Sequence, residues 1–450
     1  MIRPAPVRSA LMARTFWVET LGCPKNQVDS DKLGGLLAAD GLTAAVGADQ
    51  ADLVVVNTCA FIEEARQESI DTALALSQGR APGAQVVLTG CLAERYGQEL
   101  VEALPEIDLV AGFGSSLAAV GVGVAAAVPV EAAPTARGVA VSISAKPAAT
   151  APVPAFDLLE LPRPPAAAPW AYLKVAEGCD RACGFCAIPS FRGPQRSRPL
   201  DVLIDEVTQL GAREIVLVAQ DLASYGRDQG HGTRDLVPLI EAVAERVDRV
   251  RLLYLYPSEL GDELIGAVLA TGVPYFDLSL QHVSRPLLRR MRRWGDGDRF
   301  LDRIGQIRAA EPGAVFRSNF IVGYPGETER DHDLLLDFVE SAQLDWCGFF
   351  AFSPEVGTYA SGLDATVPTG LTAERLAELR ERQDAITAAR RDELIGSRVE
   401  VLVDEPGTAR SYREAPEIDG VVLVPDALAV GQFAQVTVVD ALGPDLVARP

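Results

Sequence analysis

Cys179, Cys183 and Cys186 stand together in EGCDRACGFCAIP, a C-x3-C-x2-C spacing. Three thiolates from one short loop can hold three irons of a 4Fe-4S cube and leave the fourth iron without a protein ligand. Electron-transfer ferredoxins normally close all four corners with cysteine. An open iron is a place for a substrate to coordinate, so the cluster becomes a catalyst as well as an electron carrier. The rival reading is structural zinc, which prefers four closed ligands built from paired C-x2–4-C units. No second pair lies nearby.

A second trio is scattered in sequence but shares one local pattern. Cys23 follows the apolar run Phe16–Leu21 through TLGC, Cys59 follows Leu53–Val56 through NTC, and Cys91 follows Val86–Leu88 through TGC. Each run is short, rich in β-branched residues and followed by a helix-like segment, which predicts a parallel strand buried on both faces. In open parallel sheets, ligands gather outside the carboxyl ends of the strands. Three cysteines 36 and 32 positions apart can therefore meet in one crevice, again with three ligands and one vacancy. The alternative is three independent buried thiols, since free cysteine behaves as a small hydrophobe. The seventh, Cys347 in DWCGFF, lies inside an apolar strand and reads as plain core.

The elements that must position these residues are set by a chain of 450 residues, long enough for two to four domains. An odd number of cysteines, placed where metal sites need them, predicts a reducing cytoplasmic setting without a disulfide scaffold. The first residues lack a continuous apolar stretch, so they do not read as a signal peptide, and Leu117–Val130 is too short and glycine-broken for a membrane span. A net charge of −21 argues against a broad phosphate-binding surface, DNA included, and favours a basic partner.

Four segments follow. Residues 14–125 alternate strands with helical stretches such as Ser30–Leu37 and Glu63–Ser77, an α/β sandwich. Residues 126–168 form an alanine- and proline-rich linker, with nine prolines between 129 and 169. Residues 169–395 carry six strand-like runs: Tyr172–Val175, Ile215–Ala219, Val250–Tyr254, Phe276–Leu280, Phe316–Val322 and Trp346–Phe352. Helical patterns separate them, which predicts a partial (β/α)6 barrel with its site on the C-terminal strand loops. A charged amphipathic helix over about Ala373–Leu394 closes this block. Residues 396–450 are β-rich and broken by Gly, Pro and Asp, as in a small all-β barrel.

The cysteine loop, with Phe185 before its third cysteine, resembles the signature of radical S-adenosylmethionine (SAM) enzymes. The whole chain apart from the linker resembles the radical-SAM methylthiotransferases, and within them the branch that modifies a ribosomal protein. That likeness rests on TLGCPKNQVDSD around Cys23, AQDLASYG at 219–226 and REAPEIDG at 413–420. It implies an N-terminal methylthiotransferase domain, a radical-SAM core and a TRAM barrel. It implies two 4Fe-4S clusters, one on Cys23, Cys59 and Cys91 and one on Cys179, Cys183 and Cys186. It also implies β-methylthiolation of an aspartate in small-subunit ribosomal protein twelve, either free or within the assembled subunit, with sulfur and electron donors that the sequence does not identify. The same chemistry on tRNA adenosine is the alternative.

Two clusters suit that reaction. An aspartate β C–H bond is not acidic enough for removal by an ordinary general base. A reduced cluster can pass one electron to the SAM sulfonium, breaking a C–S bond to give methionine and a 5′-deoxyadenosyl radical that takes the hydrogen atom. The open iron of the other cluster would hold the sulfur to be delivered, and a second SAM would donate the methyl group.

Gln220 and Asp221 after the second strand, Gln281 and His282 after the fourth, and the GYPGET loop with Gly323 and Glu327 lie where SAM contacts are expected. Arg192, Arg196 and Arg198 are candidates for a substrate carboxylate, and Arg289, Arg290, Arg292 and Arg293 for a basic surface patch. The terminal barrel holds four basic against nine acidic residues, so it is expected to select a basic protein over tRNA through residues such as Glu414, Glu417 and Asp419. Its removal is expected to leave SAM cleavage in place.

Overall fold

The computed structural model describes residues 14–113, 158–230 and 234–450, in two compact units. The linker expectation therefore falls mostly outside the described residues; its last part, Leu158–Glu160, is a short 3-10 turn.

The first unit is a five-stranded parallel sheet. Its strands are β1 (Thr15–Thr20), β2 (Thr43–Ala44), β3 (Leu53–Thr58), β4 (Gln85–Gly90) and β5 (Leu109–Val110), in the order β2-β1-β3-β4-β5. Every residue of the central β3 is buried, as a strand covered on both faces requires. Helices Pro24–Ala39, Glu63–Gly79 and Cys91–Ala103 follow β1, β3 and β4. Register pairs Thr20 with Asn57 and Thr58 with Gly90, so three adjacent strands end side by side. Leu158 joins the core of this unit and the buried Lys32 donates to the Leu159 carbonyl at 2.7 Å.

In the second unit the six expected strands all form: β6 (Trp170–Lys174), β9 (Glu214–Val218), β10 (Arg249–Leu252), β11 (Tyr275–Gln281), β12 (Val315–Val322) and β13 (Trp346–Ala351). They pair in parallel within two groups of three, and a Leu255–Leu278 bridge joins the groups. The result is an open barrel in chain order. Alternate residues such as Phe276, Leu278, Phe316 and Phe320 face the outer helices and form the main core. A two-residue hairpin of β7 (Ala176–Glu177) and β8 (Arg196–Ser197) ties off the cysteine loop. The charged helix spans Thr369–Asp392. The terminal segment closes into the barrel β14-β15-β16-β18-β17, with β14 (Arg398–Glu405), β15 (Thr408–Arg410), β16 (Val422–Leu423), β17 (Phe433–Leu442) and β18 (Asp445–Arg449).

That terminal barrel is not a free appendage. Residues 410–419 close the N-terminal mouth of the six-stranded barrel, opposite the strand ends that carry the cysteine loop. Arg410 reaches Glu214 at 3.0 Å, and Glu214 also accepts from Arg251 at 2.8 Å. The Tyr172 hydroxyl donates to the Pro416 carbonyl at 2.8 Å, that of Tyr275 to Asp419 at 2.6 Å, and the Trp346 indole to the Arg413 carbonyl at 2.9 Å. Glu414 is fully buried against Arg391. The expectation that Glu414 and Asp419 present charge to a partner is thus overturned. Both carboxylates compensate buried arginines. The exposed charge that remains, Glu405, Glu417, Asp426 and Asp440 among it, still has an acidic balance.

Candidate functional site

In the first unit Cys23 caps the helix Pro24–Ala39, Cys59 follows β3 directly, and Cys91 opens the helix after β4. One side chain links all three approaches. The fully buried Asn26 donates to the Leu21 carbonyl at 2.8 Å and to the Thr58 carbonyl at 3.1 Å, and its oxygen faces the Cys91 sulfur at 3.8 Å. Asn57 in turn donates to the Asn26 carbonyl at 2.9 Å. Two glycines permit this closeness. Both Gly22 and Gly90 have left-handed backbones (φ +97° and +91°), and a Cβ at Gly22 would lie 2.8 Å from that of Cys59. At Gly90 it would lie 2.6 Å from the Thr58 backbone. Sequence reading missed Asn26 and Asn57, although both sit in the quoted segments CPKN and NTC; the signal was a carboxamide beside each cysteine turn. Gly90→Ala is expected to cost about 1–3 kcal/mol from its dihedral alone plus the backbone collision. Gly83→Ala, at φ +84° with nothing within 4 Å, carries only the dihedral cost. Calorimetry of the two variants should show the larger drop in unfolding midpoint at Gly90.

In the second unit the cysteine loop leaves the first strand and crosses to the last ones. Gly184 donates to the Met291 carbonyl and accepts from the Ala360 N–H, both at 2.8 Å. A Cβ there would meet Tyr359 at 3.0 Å and the Tyr324 hydroxyl at 3.1 Å. Gly178, at φ +79°, passes so close to the Pro194 carbonyl that a Cβ would lie 2.1 Å from it. Burial pushes the Cys179 and Cys186 thiols up to about 12, so they favour the neutral form until a cation or metal takes the proton's place.

Beneath the loop, Glu177 is gripped by Lys174, by Arg192 at 2.9 Å and by Gln220 at 2.7 Å. Burial opposes its ionisation, yet Arg192 and Lys174 prevail and hold the carboxyl far below the usual range. Asp221 binds Arg181 at 2.6 Å and Ser224 at 2.7 Å. Glu327 accepts from the Gly323 N–H at 2.6 Å and from Arg375 at 3.0 Å, folding the GYPGET loop upon itself. Of the six residues expected to touch SAM, Gln220, Asp221, Gly323 and Glu327 are therefore engaged with their own neighbours. Gln281 (φ +70°) sits at a register shift in β11 with no side-chain hydrogen bond among the described residues.

Other candidates are redistributed by burial. Arg192 is spent on Glu177, and Arg198 on Glu206 at 2.5 Å and the Lys174 carbonyl at 3.1 Å, so neither waits for a substrate carboxylate. His282 is fully buried with its pKa lowered by desolvation to about 4, a neutral ring accepting from the Ser284 N–H. The basic patch divides: Arg289 and Arg292 are exposed, whereas Arg293 turns inward to the Cys183 sulfur at 3.4 Å. Cys347 is half-buried in β13, apart from these contacts.

Three family descriptions match successive parts of the chain: uncharacterized protein family UPF0004 over residues 15–112, the radical SAM superfamily over 173–339 and the TRAM domain over 395–450. Curated relatives are similar along nearly the whole length. "Ribosomal protein uS12 methylthiotransferase RimO" of Cutibacterium acnes is 41% identical over 97% of this chain and 98% of its own. The protein of the same name from Moorella thermoacetica is 43% identical over 90% and 92%, and that from Streptomyces coelicolor 40% over 97% of each. Among solved structures, the radical S-adenosylmethionine methyltransferase TsrM from Kitasatospora setae aligns with TM-score 0.51 and 15% identity over 83% of this chain and 89% of its own, a likeness of fold.

Proposed function

The chain belongs to the RimO family of ribosomal protein uS12 methylthiotransferases, and from that membership we infer that it adds a methylthio group to the β-carbon of an aspartate in uS12, small-subunit ribosomal protein twelve. The observation that carries the reading is the pair of cysteine trios, each on loops at the carboxyl ends of parallel strands, within a chain similar to these relatives from end to end. Cys179, Cys183 and Cys186 would hold one 4Fe-4S cluster, and Cys23, Cys59 and Cys91 the other.

The residues present suit such groups. Cys23, Cys59 and Cys91 follow three adjacent strand ends, Cys179, Cys183 and Cys186 share one loop, and thiolates are the ligands that such clusters take. Glycines at 22, 90 and 178 bring backbone where side chains would crowd them. When bound, the clusters and SAM supply one-electron cleavage of the sulfonium, sulfur and a methyl group.

The chain's own part is placement. The Gly184 hydrogen bonds pin the cysteine loop over the barrel mouth, Glu177 with Lys174 and Arg192 rigidifies its base, and Gln281 at the β11 bulge is the side chain left to meet SAM. Asn26 holds the three cysteine turns of the first unit in register. No helix among the described residues is long and apolar enough to cross a membrane, and we place the protein in the cytoplasm with its ribosomal substrate. Mass spectrometry of uS12 and of tRNA from cells with and without this chain tests the assignment. The expected result is a methylthio mass increment on a uS12 aspartate that vanishes with the gene; an increment lost from tRNA instead would transfer the assignment to the tRNA branch.

A further inference from the structure

Arg293 ends the segment Arg289–Arg293, which reads in sequence as one solvated basic run. Its side chain is instead 9% exposed. One guanidinium nitrogen, Nη1, donates to the Cys183 sulfur at 3.4 Å and the other, Nη2, to the Ser279 carbonyl. The guanidinium lies 3.8 Å from the centre of the Tyr256 ring, and the guanidinium of Arg181 lies 3.9 Å from the same centre. Two cationic planes that close to one centroid must occupy opposite faces, so Tyr256 is sandwiched.

The two arginines differ in charge balance. Arg181 is neutralised by Asp221 at 2.6 Å and Glu259 at 3.1 Å. Arg293 has no carboxylate within ion-pair distance among the described residues. An uncompensated cation hydrogen-bonded to one cysteine sulfur favours whichever state of that sulfur's cluster carries more negative charge, and hydrogen bonds to the sulfurs are among the determinants of cluster potential. A cation in so dry a place is also screened little by solvent.

We propose that Arg293, held flat by Tyr256, is a positioning residue that raises the reduction potential of the cluster on Cys179, Cys183 and Cys186 by stabilising its one-electron-reduced form through Cys183. The proposal rests on the reading that these cysteines hold a 4Fe-4S cluster. It assigns the basic run two roles: Arg289 and Arg292 to solvent, Arg293 to the cluster.

The test is an anaerobic redox titration of the reconstituted full-length protein, followed by the electron paramagnetic resonance signal that changes when SAM is added. The signal that does not respond to SAM reports the other cluster and serves as a reference within each sample. Arg293→Gln should weaken the reduced form about tenfold, which is about 59 mV more negative for a one-electron couple, with the reference unmoved. Arg293→Lys, which keeps the charge but not the planar fork, should shift less than half as far. Tyr256→Leu, which keeps the arginine but frees its plane, should move in the same direction by a smaller step and decides the matter if Arg293→Gln assembles no cluster. An unmoved midpoint in Arg293→Gln, or in Tyr256→Leu where that variant must decide, overturns the proposal, as does an equal shift of the reference signal. Absence of any SAM-responsive signal from the unsubstituted protein removes the cluster assignment itself, and the proposal with it.

Discussion

Reconstituted without air, the protein is expected to bind about eight irons, two cubes of the cysteine-held kind, and Cys183→Ala to bind about half of that and to release no 5′-deoxyadenosine from SAM. Cys59→Ala should also bind about half, yet still cleave SAM, because its cysteine belongs to the other unit. Neither variant should form methylthiolated uS12. The two activities thus separate: iron is lost equally from both, and SAM cleavage from one alone. Full iron in either variant would reassign the ligands.

The structure makes these losses attributable to ligation and not to unfolding. Cys183 is half-buried, and its loop is fastened by the backbone bonds of Gly184 to Met291 and Ala360. Removing one sulfur leaves those bonds in place. Cys59 is buried, but its turn is held by its own backbone on Ser69 and by Asn26 at the Thr58 carbonyl. Unfolding free energies of the apo-proteins should accordingly stay within about 2 kcal/mol of the parent, the range for trimming a small buried side chain.

Much of this was legible in the chain itself, for identifiable reasons. Strands buried on both faces announce themselves as short β-branched runs, so all six barrel strands and the three that end at Cys23, Cys59 and Cys91 fall where periodicity puts them, with ends displaced by one or two residues. The position of a site at strand ends follows from parallel topology. What sequence could not disclose was the partner of each charge. Arg192, Arg198 and Arg293 look alike on a line of text; burial sends the first two to Glu177 and Glu206 and the third to Cys183. The acid-rich REAPEIDG segment has the composition of a solvated surface. It enters the barrel mouth because Glu214 and Arg317, each some hundred residues or more upstream, pair there with Arg410 and Asp419.

Glu214→Gln should therefore be among the most destabilising single changes in the second unit. Glu214 lies at the first position of β9, fully buried, and its two oxygens serve Arg251 at 2.8 Å and Arg410 at 3.0 Å. Burial opposes its ionisation, yet Arg410 and Arg251 outweigh that penalty and hold its pKa down to about 2. An amide in its place leaves the buried Arg251 without a carboxylate, while Arg410 keeps only Asp404, a loss of about 3–5 kcal/mol, or a midpoint lower by on the order of 10 °C for a body of this size. Asp419→Asn is the counterpart. Burial lifts the Asp419 carboxyl to about 6, with Arg317 opposing only in part, and Arg317 keeps Asp277 at 3.1 Å. An amide oxygen can still accept from Tyr275 and Ala415, so the cost should stay near 1 kcal/mol, the worth of one ordinary hydrogen bond. The pH dependence separates them further. A carboxyl whose folded pKa is depressed lends stability that is whole above its unfolded value, 4.5 for Glu214, and is lost as pH falls toward 2. One whose folded pKa is raised behaves oppositely, so protonating Asp419 between about 6 and 3.8 relieves a cost. Midpoints measured from pH 7 to 3 should show the parent losing stability below pH 4.5 more steeply than Glu214→Gln. Equal acid limbs in the two proteins would mean that Glu214 does not bind the terminal barrel to the core as a charged group.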